Sequence, residues 1–299
     1  MAQASLQLGA IDSPHRENFS PMRTIFFVVI HLGALAAFWQ TTWGAVLVCI
    51  GLHILCGGFG ICVGYHRLLT HRSFKTAKIV EYFMAICGAL SMQGGPVEWV
   101  ALHRKHHQHS DTPGDPHSAA EGFWWSHMLW VLNVPKREQM QAIAKRYAPD
   151  LHKQRFYRWL EPINYVVAIL VAAGLYLVGG WPWVVWGMCI RLVATYHITW
   201  FVNSASHLWG YKNFLSNDLA TNNWWVALVS YGEGWHNNHH AFPTSARHGM
   251  KKWEIDFSYI FLRTMKAVGL VWDLYVPSAE QMAAKVLPKN QMQETSDVA

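Results

Sequence analysis

Apolar positions in this chain come in blocks too long for the core of a small soluble domain. Thr24 to Thr41, Gly44 to Gly64, Ile163 to Gly179 and Trp183 to Val202 are nearly unbroken runs of aliphatic and aromatic residues. A helix needs about 20 mostly apolar residues to cross a bilayer, because lipid offers no partner to a stray N–H or C=O. The four blocks are therefore read as membrane spans. Tight turns at Gln40 to Gly44 and Gly179 to Pro182 group them into two hairpins. Trp39, Trp43, Trp181 and Trp183 stand at those turns, where an amphipathic ring suits the interface. A fifth apolar piece, Ile79 to Met92, is shorter and runs into QGGP, a helix breaker. It either crosses or lies flat at the surface.

Composition supports the membrane reading. Of 299 residues 52% are hydrophobic, only 14% are charged, and 17 are tryptophan, a poor match for an ordinary soluble domain. The formal charge of +6 comes from scattered Lys and Arg with no long basic run. That favours an anionic membrane surface and argues against nucleic acid as a partner. Lys and Arg are enriched in Arg67 to Lys78, in Lys136 to Arg158 and beyond Lys212, so that face is expected to be cytoplasmic. Residues 1–23 are polar and lack an apolar core, so no cleavable signal peptide is expected there. Cys49, Cys56, Cys62, Cys87 and Cys189 lie in apolar stretches without metal-site spacing and read as small buried hydrophobes.

The 18 histidines are not scattered. His66 and His71 follow the second block, five residues apart. On a straight α-helix that is about 140° of rotation, so both reach one point only if the helix ends or bends between them. His103, His106 and His107 in HRKHH, and His236, His239 and His240 in HNNHH, are spaced i, i+3, i+4, which puts three rings on one helical stripe. NSASH adds Asn203 and His207 at the end of the last block. If 79–92 crossed, HRKHH would land on the opposite face from the others. If it lies flat, every cluster shares one face. Nine histidines and an asparagine brought together exceed the four or so ligands of a zinc ion and argue for two metals, with thiolate-free imidazole suiting redox iron while leaving copper or zinc open.

Asp111, Asp115 and Glu233 are placed to accept from the ligands' second nitrogens, and His109, His117, His127 and His248 lie close enough to orient them. Arg191, inside the fourth block, should face protein or water rather than lipid. His15, His31, His53, His152 and His197 fall outside the pattern and read as core or surface residues.

The expected architecture is an all-α integral membrane protein: four transmembrane helices as two hairpins, an interfacial helix, and a cytoplasmic helical cap carrying a di-metal site. Its segments are an N-terminal cytoplasmic stretch 1–23, a first hairpin 24–64, a cytoplasmic region 65–162 containing the interfacial helix 79–92, a second hairpin 163–202, and a cytoplasmic region 203–299. Both termini fall on the cytoplasmic side.

The stretches GYHRLLTHRSF, EWVALHRKHHQHSDTPGDPH, GFWWSH, VNSASHLWGY and GEGWHNNHHAFPTSARHG together resemble the membrane fatty acyl desaturases of the Δ9 type, over about 44–253. The likeness is nearest to cyanobacterial and bacterial members and extends to stearoyl-CoA desaturase. It implies two iron ions held by His66, His71, His103, His106, His107, His207, His236, His239 and His240, with Asn203 reaching one iron through water. It further implies an acyl tunnel bent at Trp99, Thr199 and Trp200, with Gly57 and Gly58 leaving room for a C18 chain at the closed end. O₂ is then the co-substrate, the acceptor of hydrogens from a C16 or C18 acyl-CoA or acyl-lipid, and the location a bacterial inner membrane. Where animal acyl-CoA enzymes carry an Arg-Asp pair before the second histidine box, this chain has Ala101 and Leu102, and a later basic pair is replaced near Asn133 and Val134. CoA recognition of the animal kind is therefore not expected. No HPGG-type haem motif follows, so electrons are expected from a separate ferredoxin, or a cytochrome with its reductase. A hydroxylase or desaturase of other regiochemistry is the nearest rival. A membrane metal transporter or sensor is the rival of another class, but it would place its ligands near mid-bilayer rather than at span ends.

Overall fold

The computed structural model describes residues 18–288. Residues 1–17, with His15, and 289–299 lie outside the described residues, and with them the expected placement of the two termini. Within the described part the chain is mostly helical. Its only named strands there, Lys75–Thr76 (β1) and Val271–Trp272 (β2), pair antiparallel.

Three helices are long and apolar enough to cross a membrane: Pro21–Phe38, Trp43–Thr70 and Arg155–Leu208. The first contains α1 (Pro21–Leu35), which begins with a proline, residue type favoured at that position, behind an N-cap Ser20 whose hydroxyl accepts from the Arg23 N–H at 3.4 Å. The second is α2 (Trp43–His53), capped by Thr42, running on as a π-helical stretch Ile54–Thr70. The third joins α6 (Arg155–Val184) to α7 (Arg191–Asn203) and is too long for one straight span. It is not straight. Gly180 (φ 65°, ψ −160°) leaves the helical backbone in a conformation that suits glycine. A Cβ on Gly187 would stand 2.7 Å from Leu175 Cδ1, although residues so spaced lie about 18 Å apart on a straight helix. The chain therefore doubles back at Gly180, between the two apolar blocks read from the sequence.

The short apolar piece forms α3 (Lys78–Ala89), about 18 Å long and well short of a ~30 Å hydrocarbon core. It buries Met84, Ala85, Cys87 and Gly88 and exposes Ile79 and Phe83. Backbone meets backbone here: a Cβ on Gly60 would stand 2.4 Å from the Gly88 nitrogen, so α3 lies directly against the π-helical stretch. α4 (Pro96–His109) follows, and α5 (Arg137–Tyr147) packs on it. The buried core beneath the histidines includes Tyr65, Leu68, Phe74, Val100, Ile143, Tyr147 and Leu262.

Two arginines fix the helices that carry the histidines. Arg104, on α4, donates to the carbonyls of Leu69 (2.7 Å) and Thr70 (3.2 Å) and to Asp150 (2.7 Å). It thus satisfies carbonyls that the end of the π-helical stretch leaves without a helical partner. Arg191, at the start of α7, is buried and donates to the carbonyls of Gly187 (2.6 Å) and Leu90 (3.0 Å). As expected, it faces protein rather than lipid.

Candidate metal centre

The helix ends between His66 and His71, as their spacing requires: the π-helical stretch closes at Thr70 and His71 is its C-cap. The backbone between them is π-helical, and the His71 N–H donates to the His66 carbonyl at 3.1 Å, an i to i+5 bond that stacks residue i+5 over residue i. The two rings are 4.8 Å apart. HRKHH lies on α4, and HNNHH forms α8 (His236–Ala241), so the i, i+3, i+4 stripes are real helical faces. His207 sits on the short turn Ala205–Leu208 just past α7, and Asn203 closes α7 one turn earlier.

These nine histidines gather into two groups, His66, His71, His103, His107 and His239 in one, His106, His207, His236 and His240 in the other. Within each group one nitrogen per ring lies within 4.8 Å of all the rest. The Nε2 atoms nearly touch: 3.1 Å between His66 and His239, 3.1 Å between His103 and His107, 2.9 Å between His107 and His239, and 3.1 Å between His236 and His240.

Carboxylates decide which nitrogens carry lone pairs. Asp115 accepts from His106 Nδ1 (3.0 Å), Asp111 from His207 Nδ1 (2.8 Å) and Asp218 from His240 Nδ1 (2.5 Å). An ionised carboxylate can only accept, so each Nδ1 carries the proton and each Nε2 is left with a lone pair. Lone pairs aimed at one point repel unless a cation lies among them. The Nε2 atoms of His71, His106 and His207 are moreover buried without a hydrogen-bond partner. The residues present therefore fit two metal ions bound by imidazole.

Burial keeps most of these rings neutral. His71, His103, His107, His236 and His239 are pushed well below the usual imidazole value, first by burial and then by one another. His240 is lowered to about 4 by burial, against the pull of Asp218. Asp111 is brought down to about 2: burial raises it, but the hydrogen bond and charge of His207 outweigh that. His106 is the exception, held up by Asp115 in spite of burial.

Arg67 organises the far side. It is fully buried between Glu233 (3.1 Å) and Asp256 (2.9 Å) and donates to the Ala246 carbonyl at 2.7 Å. Glu233 Oε2 stands 2.7 Å from the Nδ1 of His66 and 3.1 Å from that of His248, which itself faces Arg67 Nη2 at 3.2 Å. Of the four nearby histidines, His248 packs on His239 (4.5 Å) and His117 on His106 (4.3 Å), whereas His109 bonds the Tyr147 hydroxyl and His127 bonds Ser204 and His197. His31 and His53 bond His197 and Thr195.

Two cavities meet beside the histidine groups. The larger, about 550 Å³, runs from Met22, Arg23 and Glu98 inward to His103 and Asn203. The smaller, about 60 Å³, continues from His66, His103 and Asn203 to His53, Gly57, Thr195 and Tyr231. Trp99 and Thr199 line both, Trp200 the larger and Gly57 the smaller. Gly58 lines neither and instead packs on the Tyr231 ring. Gln93 ties the junction: it donates to Thr199 Oγ1 at 2.9 Å and accepts from Trp99 Nε1 at 3.4 Å. Asp218, Gln93 and Tyr231 escape a reading of the sequence. Asp218 stands in a loop 22 residues before its histidine, and Gln93 reads there only as part of a helix breaker.

The fatty acid desaturase family model matches residues 37–255. The chain is 48% identical over 267 residues to an sn-2 palmitoyl-lipid 9-desaturase of Nostoc sp. (strain 36), covering 88% of this chain and 93% of that protein. It is 45% identical over 283 residues to an sn-1 stearoyl-lipid 9-desaturase of Synechocystis sp. (92% and 87% covered), and 45% identical over 258 residues to an acyl-CoA C20 Delta5-desaturase of Anemone leveillei (85% and 81%).

Proposed function

The chain belongs to the fatty acid desaturase family, and from that premise we propose that it is an O₂-dependent Δ9 desaturase acting on saturated C16 or C18 acyl chains. It removes one hydrogen from each of C9 and C10 and leaves a cis double bond. The observation that carries this reading is the junction of the two cavities, where Trp99, His103, Thr199 and Asn203 belong to both. An acyl chain threaded through them passes beside the Nε2 atoms of both histidine groups.

Adjacent unactivated methylenes offer a side chain neither an acidic proton nor a carbonyl. Two iron ions, when bound, supply the O₂-dependent redox chemistry that such carbons demand. His66, His71, His103, His107 and His239 would hold one, and His106, His207, His236 and His240 the other, with Asn203 reaching it through water. Asp111, Asp115 and Asp218 keep the protons on Nδ1 and aim the Nε2 lone pairs inward. Trp99, Thr199 and Trp200 give the tunnel its bend, pinned by Gln93, so that geometry selects the carbons nearest the metals. The apolar walls keep water from the reacting carbons. Overall, one O₂ becomes two waters, with two electrons from the substrate C–H bonds and two from a separate carrier, a ferredoxin or a cytochrome with its reductase.

The acyl carrier is a membrane lipid. Supporting this are the acyl-lipid names of the cyanobacterial relatives, Ala101 and Leu102 in place of the charged pair of animal acyl-CoA enzymes, and a larger cavity flanked by the membrane-facing side of α1. The reading includes four crossings as two hairpins: α1 with the helix from α2, then α6 with its return through α7. With α3 flat at the surface, all the histidines fall on one side under a cytoplasmic cap, in the inner membrane of a bacterium.

Expression in a host unable to make unsaturated fatty acids, together with a competent electron donor, tests the function. Double bonds at C9, located by mass spectrometry, are expected in C16 or C18 chains. Hydroxylated chains, or an unchanged lipid profile from iron-loaded protein, overturn it.

A further inference from the structure

We propose that Arg23, held by Glu98, is the specificity-determining residue at the mouth of the larger cavity: it takes the ester carbonyl of the substrate glycerolipid and so fixes the point from which carbons are counted to the metals. The proposal rests on the acyl-lipid desaturase reading above.

The mouth opens sideways. Met22, Ile25 and Val29 line the cavity and lie 80%, 63% and 59% exposed on α1, within the first candidate span. A lipid can enter there with its acyl chain foremost and leave its glycerol backbone at the rim. Among the described residues the cavity lining contains one cation and one anion, Arg23 and Glu98, and they pair at 3.2 Å. Arg23 also donates to the Val131 carbonyl at 3.3 Å. These bonds use two of the five N–H donors of a guanidinium, and the others remain for a ligand.

Charge decides what that ligand is. A polyphosphate carrier such as CoA needs surplus cations, and among the described residues the lining has none, because Glu98 already neutralises Arg23. An ester carbonyl is an uncharged acceptor and asks only for an N–H. The pair is thus matched to a neutral ester and mismatched to a polyanion, discrimination by an unfavourable charge as much as by a favourable bond.

The spacing is right for a ruler. Glu98 and His103 share α4 and both line the cavity; five residues of helix separate them by about 7.5 Å along the axis. An extended chain from C1 to C9 measures roughly 10 Å, taking about 3.5 Å for every three backbone-like bonds. Arg23 bonds the Glu98 carboxylate at 3.2 Å, and the length of the two paired side chains is on the order of the remaining difference. A carbonyl held there brings C9 and C10 beside His103. The double bond is then counted from the carboxyl end, whatever the chain length.

The test uses full-length iron-loaded protein in lipid nanodiscs, with palmitoyl and stearoyl glycerolipids as substrates, Arg23→Met and Arg23→Lys as variants, and iron content measured in each. Wild type should place every double bond at C9 in both lipids. Arg23→Met should raise the lipid KM about tenfold with a smaller change in kcat, spread the double bonds over neighbouring positions, and weaken binding of a fluorescent polyene-acyl glycerolipid to the metal-free protein by a similar factor. Arg23→Lys should restore C9 in part. Glu98→Gln supplies a second arm: the unneutralised guanidinium should bind palmitoyl-CoA several-fold more tightly than wild type. Unchanged regiochemistry and lipid affinity in Arg23→Met overturn the proposal. If Arg23→Met loses its iron, an unchanged preference between lipid and CoA in Glu98→Gln overturns it instead. Wild type that makes no alkene from either lipid contradicts the function itself, a result distinct from a failure of Arg23 alone.

Discussion

Trp99 stacks on His103, with ring centroids 5.0 Å apart and planes inclined by 26°. A residue that lines both cavities and a histidine of the first group are thus two sides of one contact on α4. The two residues should nonetheless separate on mutation. His103→Ala and His239→Ala are expected to lower iron content and cut activity more than about 100-fold, beyond the usual cost of losing a ligand's supporting partner, while expression is maintained. Trp99→Leu should keep both irons and lose regioselectivity. Iron analysis of the purified variants checks the contrast, and full activity in both histidine variants would mean that the two groups do not hold metal.

Asp218 supports His240 at 2.5 Å from a loop distant in sequence. Without the carboxylate the ring loses its fixed tautomer and orientation. Asp218→Asn should weaken iron binding by about 10- to 100-fold, measured by competition with a chelator. An unaltered affinity would show that the bond does not orient the ring.

Glu161, on α6, accepts from the N–H groups of Val97 (2.5 Å) and Glu98 (3.3 Å) in the first turn of α4. It does the work of an N-cap from another helix, where Gly95 has no side chain to offer. Glu161→Ala should cost about 1–2 kcal/mol, the upper range for a lost cap, and lower the melting temperature by a few degrees. Glu161→Gln, which keeps an acceptor oxygen, should lose less.

Acid should act through Asp150. Burial raises its carboxyl, but hydrogen bonds from Arg104 and Arg72 outweigh that and hold it at about 2, below an unfolded value near 3.9. A depressed carboxylate contributes stability that is fully present above the unfolded value and is lost as pH falls through the folded one. The contribution is on the order of 1 kcal/mol once solvent screening is allowed for. The difference in thermal stability between wild type and Asp150→Asn should be present at pH 6 and shrink as pH falls from 4 towards 2. A difference independent of pH would assign the effect to packing.

Chain length should follow Gly57. A Cβ there would stand 3.4 Å from the His53 ring and 3.8 Å from the Thr195 methyl, so alanine fits and a longer side chain fills the closed end. Gly57→Leu is expected to depress conversion of C18 relative to C16 by about tenfold, the scale of a methylene or two in an apolar pocket. Paired assays on stearoyl and palmitoyl lipids read it.

Periodicity and block length were legible because they are local. The stripes of HRKHH and HNNHH became helices α4 and α8, and the short apolar piece 79–92 became α3. The reversal at Gly180 was legible from a single turn signal. What escaped was either geometric or distant. The spacing of His66 and His71 announces the helix end at Thr70 but not the π-helical backbone that leads up to it. Asp218 carries no spacing signal towards His240, because its loop meets α8 through the tertiary fold. Gly58, next to Gly57 in sequence, packs on Tyr231 because successive residues of a helix face different ways.

Diffraction at the iron absorption edge from crystals of the iron-loaded protein locates the metals directly. Two anomalous peaks are expected, one among His66, His71, His103, His107 and His239 and one among His106, His207, His236 and His240. A single peak, or iron outside both groups, contradicts a two-iron centre at the bend of the tunnel.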